Sequence, residues 1–338
     1  MTILITGGAG YLGSHACVEF VQAGHNCVVL DNLTNGYEES LRRVEQITGQ
    51  AVPLVVGDVR NQDFVESILK KYTCDAVVHF AGLKSVGEST SLPLDYYDAN
   101  VTGSINLLKA MQNCGVRKLI YSSSATVYGE PDYLPLDEHH PLKPVNAYGR
   151  TKMYVEELLR DLSASDPEWA IAILRYFNPV GAHKSGLIGE NPGDHPANLM
   201  PIISQVASGQ RSTLTIYGDD YDTEDGSGVR DYIHVTDLIL GHVKAMEALD
   251  KFGGGEVLTT NLGTGRGYSV YELIAAFEHV SNLKIGHEVA GRRNGDVATC
   301  FADVSYARRK LDWQVQKSLS EMCSDTWNWI SKNPRGYE

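Results

Sequence analysis

The sequence predicts an α/β protein, a doubly wound parallel sheet with a smaller α/β unit in its second half. Three features carry this reading: short apolar runs alternating with helical-period segments, a glycine cluster between the first run and the first helix, and a change of rhythm near Phe177. The runs at 3–6, 26–31, 52–57, 76–80, 118–123 and 170–176 are rich in β-branched residues and end beside Gly, Asp, Ser or Asn. Strands apolar along their whole length are those of a parallel sheet covered on both faces. Helical periods occupy 11–23, 61–71, 94–114 and 147–162, and right-handed crossovers then wind the sheet in both directions. Beyond Phe177, loops rich in Gly, Pro, Asp and Asn at 179–197 and 218–228 interrupt shorter elements. The expected division is a first domain over 1–176 and a second over 177–338, with the chain returning to the first near 231–249.

With 338 residues, 43% of them hydrophobic and 21% charged, the chain can bury a large core. Lys and Arg number 29 against 42 Asp and Glu, a net charge of −13, so neither nucleic acid nor an anionic membrane is an expected partner. No apolar run approaches the roughly 20 residues of a membrane helix. The opening MTILITGGAG lacks the basic region of a signal peptide. Six scattered cysteines without a CxxC pair read as reduced thiols, and the expected location is cytoplasmic. His139 and His140 lie in a Pro-containing loop without ligand-like spacing, so no metal site is expected.

The first strand runs into Gly7-Gly8-Ala9-Gly10-Tyr11-Leu12-Gly13, and a helix follows. Glycines at Gly7, Gly10 and Gly13 let a chain turn tightly, approach a pyrophosphate, and pack its helix against the sheet. The helix N-terminus offers amides and a positive dipole end to phosphates. Asp31 ends the second strand 18 residues after Gly13, where a carboxylate accepts from ribose hydroxyls and repels a 2′-phosphate. These are the marks of a Rossmann sheet that takes NAD rather than NADP. Asp58 and Val59, after the third strand, are expected at the adenine. Phe80, Ala81, Gly82 and Lys84 follow the fourth strand, the small pair clearing a path and Lys84 donating to the nicotinamide ribose. His79, within that strand, reads as a packed, satisfied ring.

Tyr148 and Lys152 stand at i and i+4 of a helix, on one face. A free phenol titrates near 10; a lysine charge and the positive nicotinamide should lower that value and make Tyr148 a base. Ser122, Ser123 and Ser124 end the fifth strand, and Ser124 can bond the same substrate hydroxyl.

Together TGGAGYLG, SSSATVYG and YGRTK resemble the extended short-chain dehydrogenase/reductase family. FAGLKSVGES, LRYFNPVGAH, PANLMP, DGSGVRDYIHV and RRNGD resemble its UDP-hexose 4-epimerase branch over nearly the whole chain. The resemblance implies transient oxidation at C4 of a UDP-hexose by tightly held NAD, with Tyr148, Lys152 and Ser124 catalytic. It adds Tyr11, Leu12, Asn32, Asn35, Ser122 and Phe177 to the NAD contacts, with Tyr148 and Lys152 counted there too. For the UDP-sugar it implies Lys84, Ser124, Tyr148, Tyr176 and Asn178, then Asn198 and Leu199, and Thr215, Ile216 and Tyr217 around uracil. Arg230 and Arg293 fall on the diphosphate and Asp296 on ribose. Cys300 stands where sugar-selective relatives carry tyrosine, which implies room for an N-acetyl group and turnover of UDP-GlcNAc and UDP-GalNAc. A related 4,6-dehydratase or a net dehydrogenase is the alternative; the dehydratase lacks its acid, since Ala125 and Thr126 follow Ser124. A homodimer joined through 94–114 and 147–162 is also implied.

Overall fold

A computed structural model describes residues 1–191, 196, 198–251, 255–293 and 295–338. Seven strands form one wholly parallel sheet: β1 (Thr2–Thr6), β2 (Asn26–Asp31), β3 (Leu54–Val56), β4 (Ala76–His79), β5 (Lys118–Ser124), β6 (Ala170–Tyr176) and β11 (Val257–Leu262). Their order is β11-β6-β5-β4-β1-β2-β3, so the winding direction reverses between β1 and β4. Alternate side chains enter opposite cores, as a period of two dictates. Ile3, Ile5, Val29, Val78, Ala172 and Leu174 face one, while Leu4, Val28, Leu30, Val77, Ile171 and Ile173 face the other.

Helices α1 (Tyr11–Gln22), α2 (Glu38–Thr48) and α9 (Val235–Leu249) cover the first face. Helices α3 (Gln62–Tyr72), α6 (Gly103–Cys114) and α7 (Ala147–Ser165) cover the second. Residues 94–114 are helical throughout, as expected, with one π-turn inside the run. Short α4 (Val86–Ser91) and α5 (Pro93–Tyr97) lead into a π-turn, Asp98–Thr102, before α6. The turn carries Asn100, whose buried amide is committed elsewhere. Helix α2 was not read from the sequence because it is polar overall, with only Ser40, Leu41 and Val44 of its eleven residues buried.

Among the described residues, the second half contributes three small sheets. In these β7 (Asn178–Val180) pairs with β10 (Tyr232–His234), β8 (Leu214–Tyr217) with β13 (His287–Ala290), and β9 (Val229–Arg230) lies between β12 (Tyr268–Ser269) and β14 (Thr299–Cys300). Helices α8 (Leu199–Ala207), α10 (Val270–Ser281) and α12 (Leu319–Lys332) enclose a third core around Ile203, Ile216, Phe277 and Met322, and α11 (Ser305–Leu311) packs beside α9. Capping boxes at Ser269/Glu272 and Ser318/Glu321 fix where α10 and α12 begin. Residues 231–249 supply β10 and α9, and the chain rejoins the large sheet at β11, beside β6. Among the described residues, no helix is long and apolar enough to cross a membrane.

Candidate active site

The reversal between β1 and β4 places two loops side by side at the carboxyl edge of the sheet, where ligands of such sheets bind. Gly7 has φ +71, and a Cβ there would lie 2.9 Å from the Ala81 amide of the neighbouring loop. At Gly13 a Cβ would lie 2.2 Å from the Gly7 carbonyl, so helix and turn touch only because neither carries a side chain. Gly10 differs. A Cβ there meets only the Gly7 oxygen, at 3.4 Å, so the protein itself does not demand glycine. Gly10 also caps α1 without any side-chain bond, leaving first-turn amides of Tyr11, Leu12 and Gly13 without a side-chain acceptor. Open space above bare amides is what a phosphate requires, and the loop fits a dinucleotide on that ground.

Asp31 is buried at the end of β2. Its carboxylate accepts from the Ala9 amide at 3.0 Å and the Leu33 amide at 2.8 Å. Burial raises its pKa against the pull of those two bonds. Asn32 and Asn35 are exposed beside it. Asp58 is already engaged: Arg60 donates to both of its oxygens, Asn32 Nδ2 donates at 3.1 Å, and Arg60 holds its pKa down at about 2. Arg60, which the motifs do not reveal, also bonds Asp98 at 2.6 Å. Val59 packs into the core below.

The loop after β4 is fastened by Asn100. Its Oδ1 accepts from the Leu83 amide at 2.8 Å, and its Nδ2 donates to the Leu83 carbonyl at 3.0 Å and to Thr151 Oγ1 at 2.9 Å. Gly82, with φ +154, has room only for hydrogen, since a Cβ would sit 2.7 Å from Asn100 Oδ1. The π-turn thus ties this loop to α7, and such turns collect at functional sites. Phe80 lies against His242, ring centroids 5.2 Å apart. His79 bonds Thr6 Oγ1 at 2.7 Å and Ser104 Oγ at 3.0 Å, a satisfied buried ring with its pKa driven down to about 3. Lys84 donates to Glu190 at 3.0 Å.

The three serines separate by the alternation of β5. Ser123 turns inward and donates to Glu156 at 2.6 Å, within a buried pair whose partner Arg175 stands at 2.7 Å. The Ser122 carbonyl accepts from Lys152 Nζ at 2.7 Å. Ser124 acts on Tyr148, drawing the pKa of its phenol down. Its Oγ also accepts from the Thr126 amide and hydroxyl, at 3.2 and 3.0 Å, so its own proton is left to donate outward. Lys152 Nζ lies 5.9 Å from the Tyr148 ring centroid. Burial depresses its pKa to about 8, with Glu156 pulling the other way. Burial raises the Tyr148 pKa, and only Ser124 opposes it.

Tyr176 is buried and bonds His242 Nε2, whose Nδ1 donates to the Leu238 carbonyl at 2.9 Å. Phe177 is likewise buried, in a cluster with Val127 and Ala302 that partly covers Cys300. Cys300 pairs in register with Arg230, and burial raises its thiol to about 11. Arg230 Nη2 stands 3.7 Å from Asp296, and the Arg293 guanidinium lies 3.8 Å above the Tyr217 ring. Asn178 pairs with Tyr232 across β7 and β10. Asn198 caps α8 without using its side chain, which stays exposed, and Leu199 begins the helix. Thr215 bonds Glu288, while Ile216 points into the third core, so it can offer a ligand only backbone.

One residue of the DGSGVRDYIHV stretch, to which the resemblance gave no role of its own, holds these strands together. Asp231 is fully buried and accepts from the Thr264 amide and hydroxyl, both at 2.7 Å, from Gly265 at 3.0 Å and from Ala302 at 3.2 Å. It thereby joins β9 to the end of β11 and to β14.

The family described as "NAD dependent epimerase/dehydratase family" matches residues 3–263. A UDP-glucose 4-epimerase of Bacillus subtilis is 52% identical, over 100% of this chain and 99% of the relative. The UDP-glucose-4-epimerase structure from Stenotrophomonas maltophila, with bound NAD and formylated UDP-arabinopyranose, superposes with a TM-score of 0.96 at 50% identity over 99% of each chain. That of UDP-glucose 4-epimerase from Bifidobacterium longum, in complex with NAD+ and UDP, gives 0.95 at 46% identity over 99% of this chain and 100% of that one. Glycine loop, strand-end serine and Tyr–Lys helix agree with matches of this length, and the chain belongs to the NAD dependent epimerase/dehydratase family.

Proposed function

We propose that this protein interconverts UDP-glucose and UDP-galactose at C4, using NAD that it keeps bound. The observation that carries the proposal is the meeting of Tyr148, Ser124 and Lys152 beside the open glycine loop. Gly7, Gly10, Gly13 and the first-turn amides would hold the diphosphate, Asp31 a ribose, and Lys84 with Lys152 the nicotinamide end. Asp58 and Val59 border the adenine. NAD, when bound, supplies the site with an acceptor and donor of hydride at the sugar carbon. Tyr148 takes the O4 proton as that carbon is oxidised and returns it after the ring has turned over. Ser124 donates to the same oxygen and holds it through both passes. Lys152, pinned by the Ser122 carbonyl, keeps a positive charge near the phenolate.

A turning sugar needs one end fixed. Arg230 and Arg293 suit the diphosphate, since guanidinium forks match phosphate oxygens. Asn178, Asn198 and Leu199 would hold the neighbouring groups, Thr215, Ile216 and Tyr217 the uracil, and Asp296 its ribose. In this reading residues 1–176 with α9 and β11 hold NAD, and the remainder of 177–338 holds the UDP-sugar. The protein would act as a cytoplasmic homodimer. The small, partly exposed Cys300 beside Arg230 favours a broader scope that includes UDP-GlcNAc and UDP-GalNAc.

Purified protein given UDP-galactose, without added NAD, should form UDP-glucose with no accumulation of NADH. Stoichiometric NADH would instead indicate a dehydrogenase. In the same assay Cys300→Tyr should lose only the N-acetyl activity; equal retention of both would refute the assignment to Cys300.

A further inference from the structure

Beyond β7 the chain makes a tight hairpin over 181–190, closed by an Ala182–Gly189 bridge and by the His183 amide donating to the Ile188 carbonyl at 3.1 Å. Its carbonyls are gripped one after another by α12 and the turn that follows. Lys184 accepts from Asn328 at 3.0 Å, Ser185 from Lys332 at 3.0 Å and Gly186 from Asn333 at 2.9 Å. Leu187 accepts from Arg43 at 3.1 Å, and Glu190 from Trp329 Nε1 at 3.0 Å. Gly189 is held on both sides by one phenol: its amide donates to Tyr337 at 3.2 Å, and Tyr337 donates back to its carbonyl at 3.0 Å. No Cβ fits at Gly189, where it would meet the Trp329 ring at 2.4 Å. The Arg43 guanidinium sits 5.7 and 5.2 Å from the Trp329 and Tyr337 rings and fixes both.

The two ends of this hairpin touch the two loops of the glycine site. Tyr11, the first residue of α1, donates its hydroxyl to the Gly181 carbonyl at 2.7 Å. Glu190 accepts from Lys84, beyond β4, at 3.0 Å. Tyr37, whose amide bonds the Ala9 carbonyl of the glycine loop, stacks on Tyr337 at 5.1 Å. Burial, then Glu190 and Tyr337, hold the Tyr11 phenol well above its ordinary pKa, so it remains a donor.

A hairpin gripped along its length and tied across both loops of a pocket restrains whatever lies between them. We propose that 181–190 is a strap that retains the dinucleotide, and that Tyr337 is the positioning residue that fixes it. The inference rests on the reading of the pocket as an NAD site. An enzyme that regenerates its cofactor within each cycle gains from never releasing it, and the strap supplies that retention without touching the reacting atoms.

The test uses the purified holoenzyme and follows exchange of bound NAD for isotopically labelled NAD. Tyr337→Phe leaves two buried backbone groups of Gly189 unpartnered, a loss that should speed exchange about tenfold. Its turnover at saturating NAD should stay close to the parent's, while its melting temperature falls with the two unpartnered groups. Glu190→Gln keeps the grip but removes the charge that ties Lys84, and should also exchange faster without a change in melting temperature. A folded Tyr337→Phe protein that exchanges at the parental rate overturns the assignment. If that variant does not fold, parental exchange in Glu190→Gln overturns it. A parent that carries no NAD would sink the cofactor reading itself, whereas a loaded parent with unaffected variants sinks only the strap.

Discussion

Lys152 carries a conflict that decides how Tyr148 can act. Burial works against its ammonium, bringing its pKa to about 8, while the Ser122 carbonyl holds the nitrogen in place. In the unfolded chain the same group titrates near 10.5, so the charged lysine is a cost to folding, in full below pH 8 and fading as pH rises toward 10.5. What that cost supplies is a cation near a phenol whose own burial pushes its pKa up. Turnover of the parent should therefore flatten or fall as pH rises through about 8. Lys152→Met should be about a hundredfold slower at pH 7 and regain rate as pH rises, because Tyr148 must then ionise unaided. Tyr148→Phe should be inactive throughout. Superimposable pH–rate profiles for Lys152→Met and the parent would show that the charge has no part in catalysis. These residues were legible in the sequence because helical spacing and a strand end place them without tertiary knowledge. Asn100, Arg60, His242 and Asp231 were not: each acts on partners 17 or more residues away in sequence, apart from Arg60's pairing with Asp58 and His242's with Leu238, and only chain closure brings them together.

Among the elements, the β1–α1 turn separates what folding demands of a glycine from what a ligand demands. Gly13 is a folding requirement, with the Gly7 oxygen and the Gly8 Cα within 2.4 Å of any added Cβ. Gly10 is not, since its φ of −82° and ψ of −176° suit alanine and the space above it is open. Gly13→Ala should therefore cost roughly 1–3 kcal/mol of stability through overpacking, read as a lower melting temperature with or without NAD. Gly10→Ala should melt like the parent when stripped of NAD, yet bind NAD weakly in titration calorimetry. Equal NAD affinity for Gly10→Ala and the parent would mean that the dinucleotide does not pass over this turn. The sequence made this element readable because strand, glycines and helix are contiguous. It concealed β11, which joins the sheet beside β6 with 80 residues between the two strands. It also concealed the π-turn at Asp98–Thr102, a local widening inside a helix that continues on both sides.

On the scale of the whole molecule, the described surface carries a group of exposed apolar side chains. Leu94 is 82% exposed on α5, with Leu92 and Val86 beside it, and Tyr154 is 47% exposed on α7, close to Tyr97. Helices α4, α5 and α7 pack together, so these residues share one face. That face lies behind Tyr148 and Lys152 on the same helix α7. A second copy applied through a two-fold axis would cover it with its own identical face. Burying a leucine contributes about 1.5–3 kcal/mol, and a symmetric interface counts each leucine twice. Leu94→Asp should accordingly weaken association by at least about a hundredfold, since both the lost burial and the buried charge act twice. Analytical ultracentrifugation at micromolar concentration should show a dimer for the parent and a monomer for the variant. Since no side chain of the site comes from that face, the monomeric variant should retain its bound NAD. A parent that sediments as a monomer would refute the interface, and a dimeric Leu94→Asp would move it to another surface.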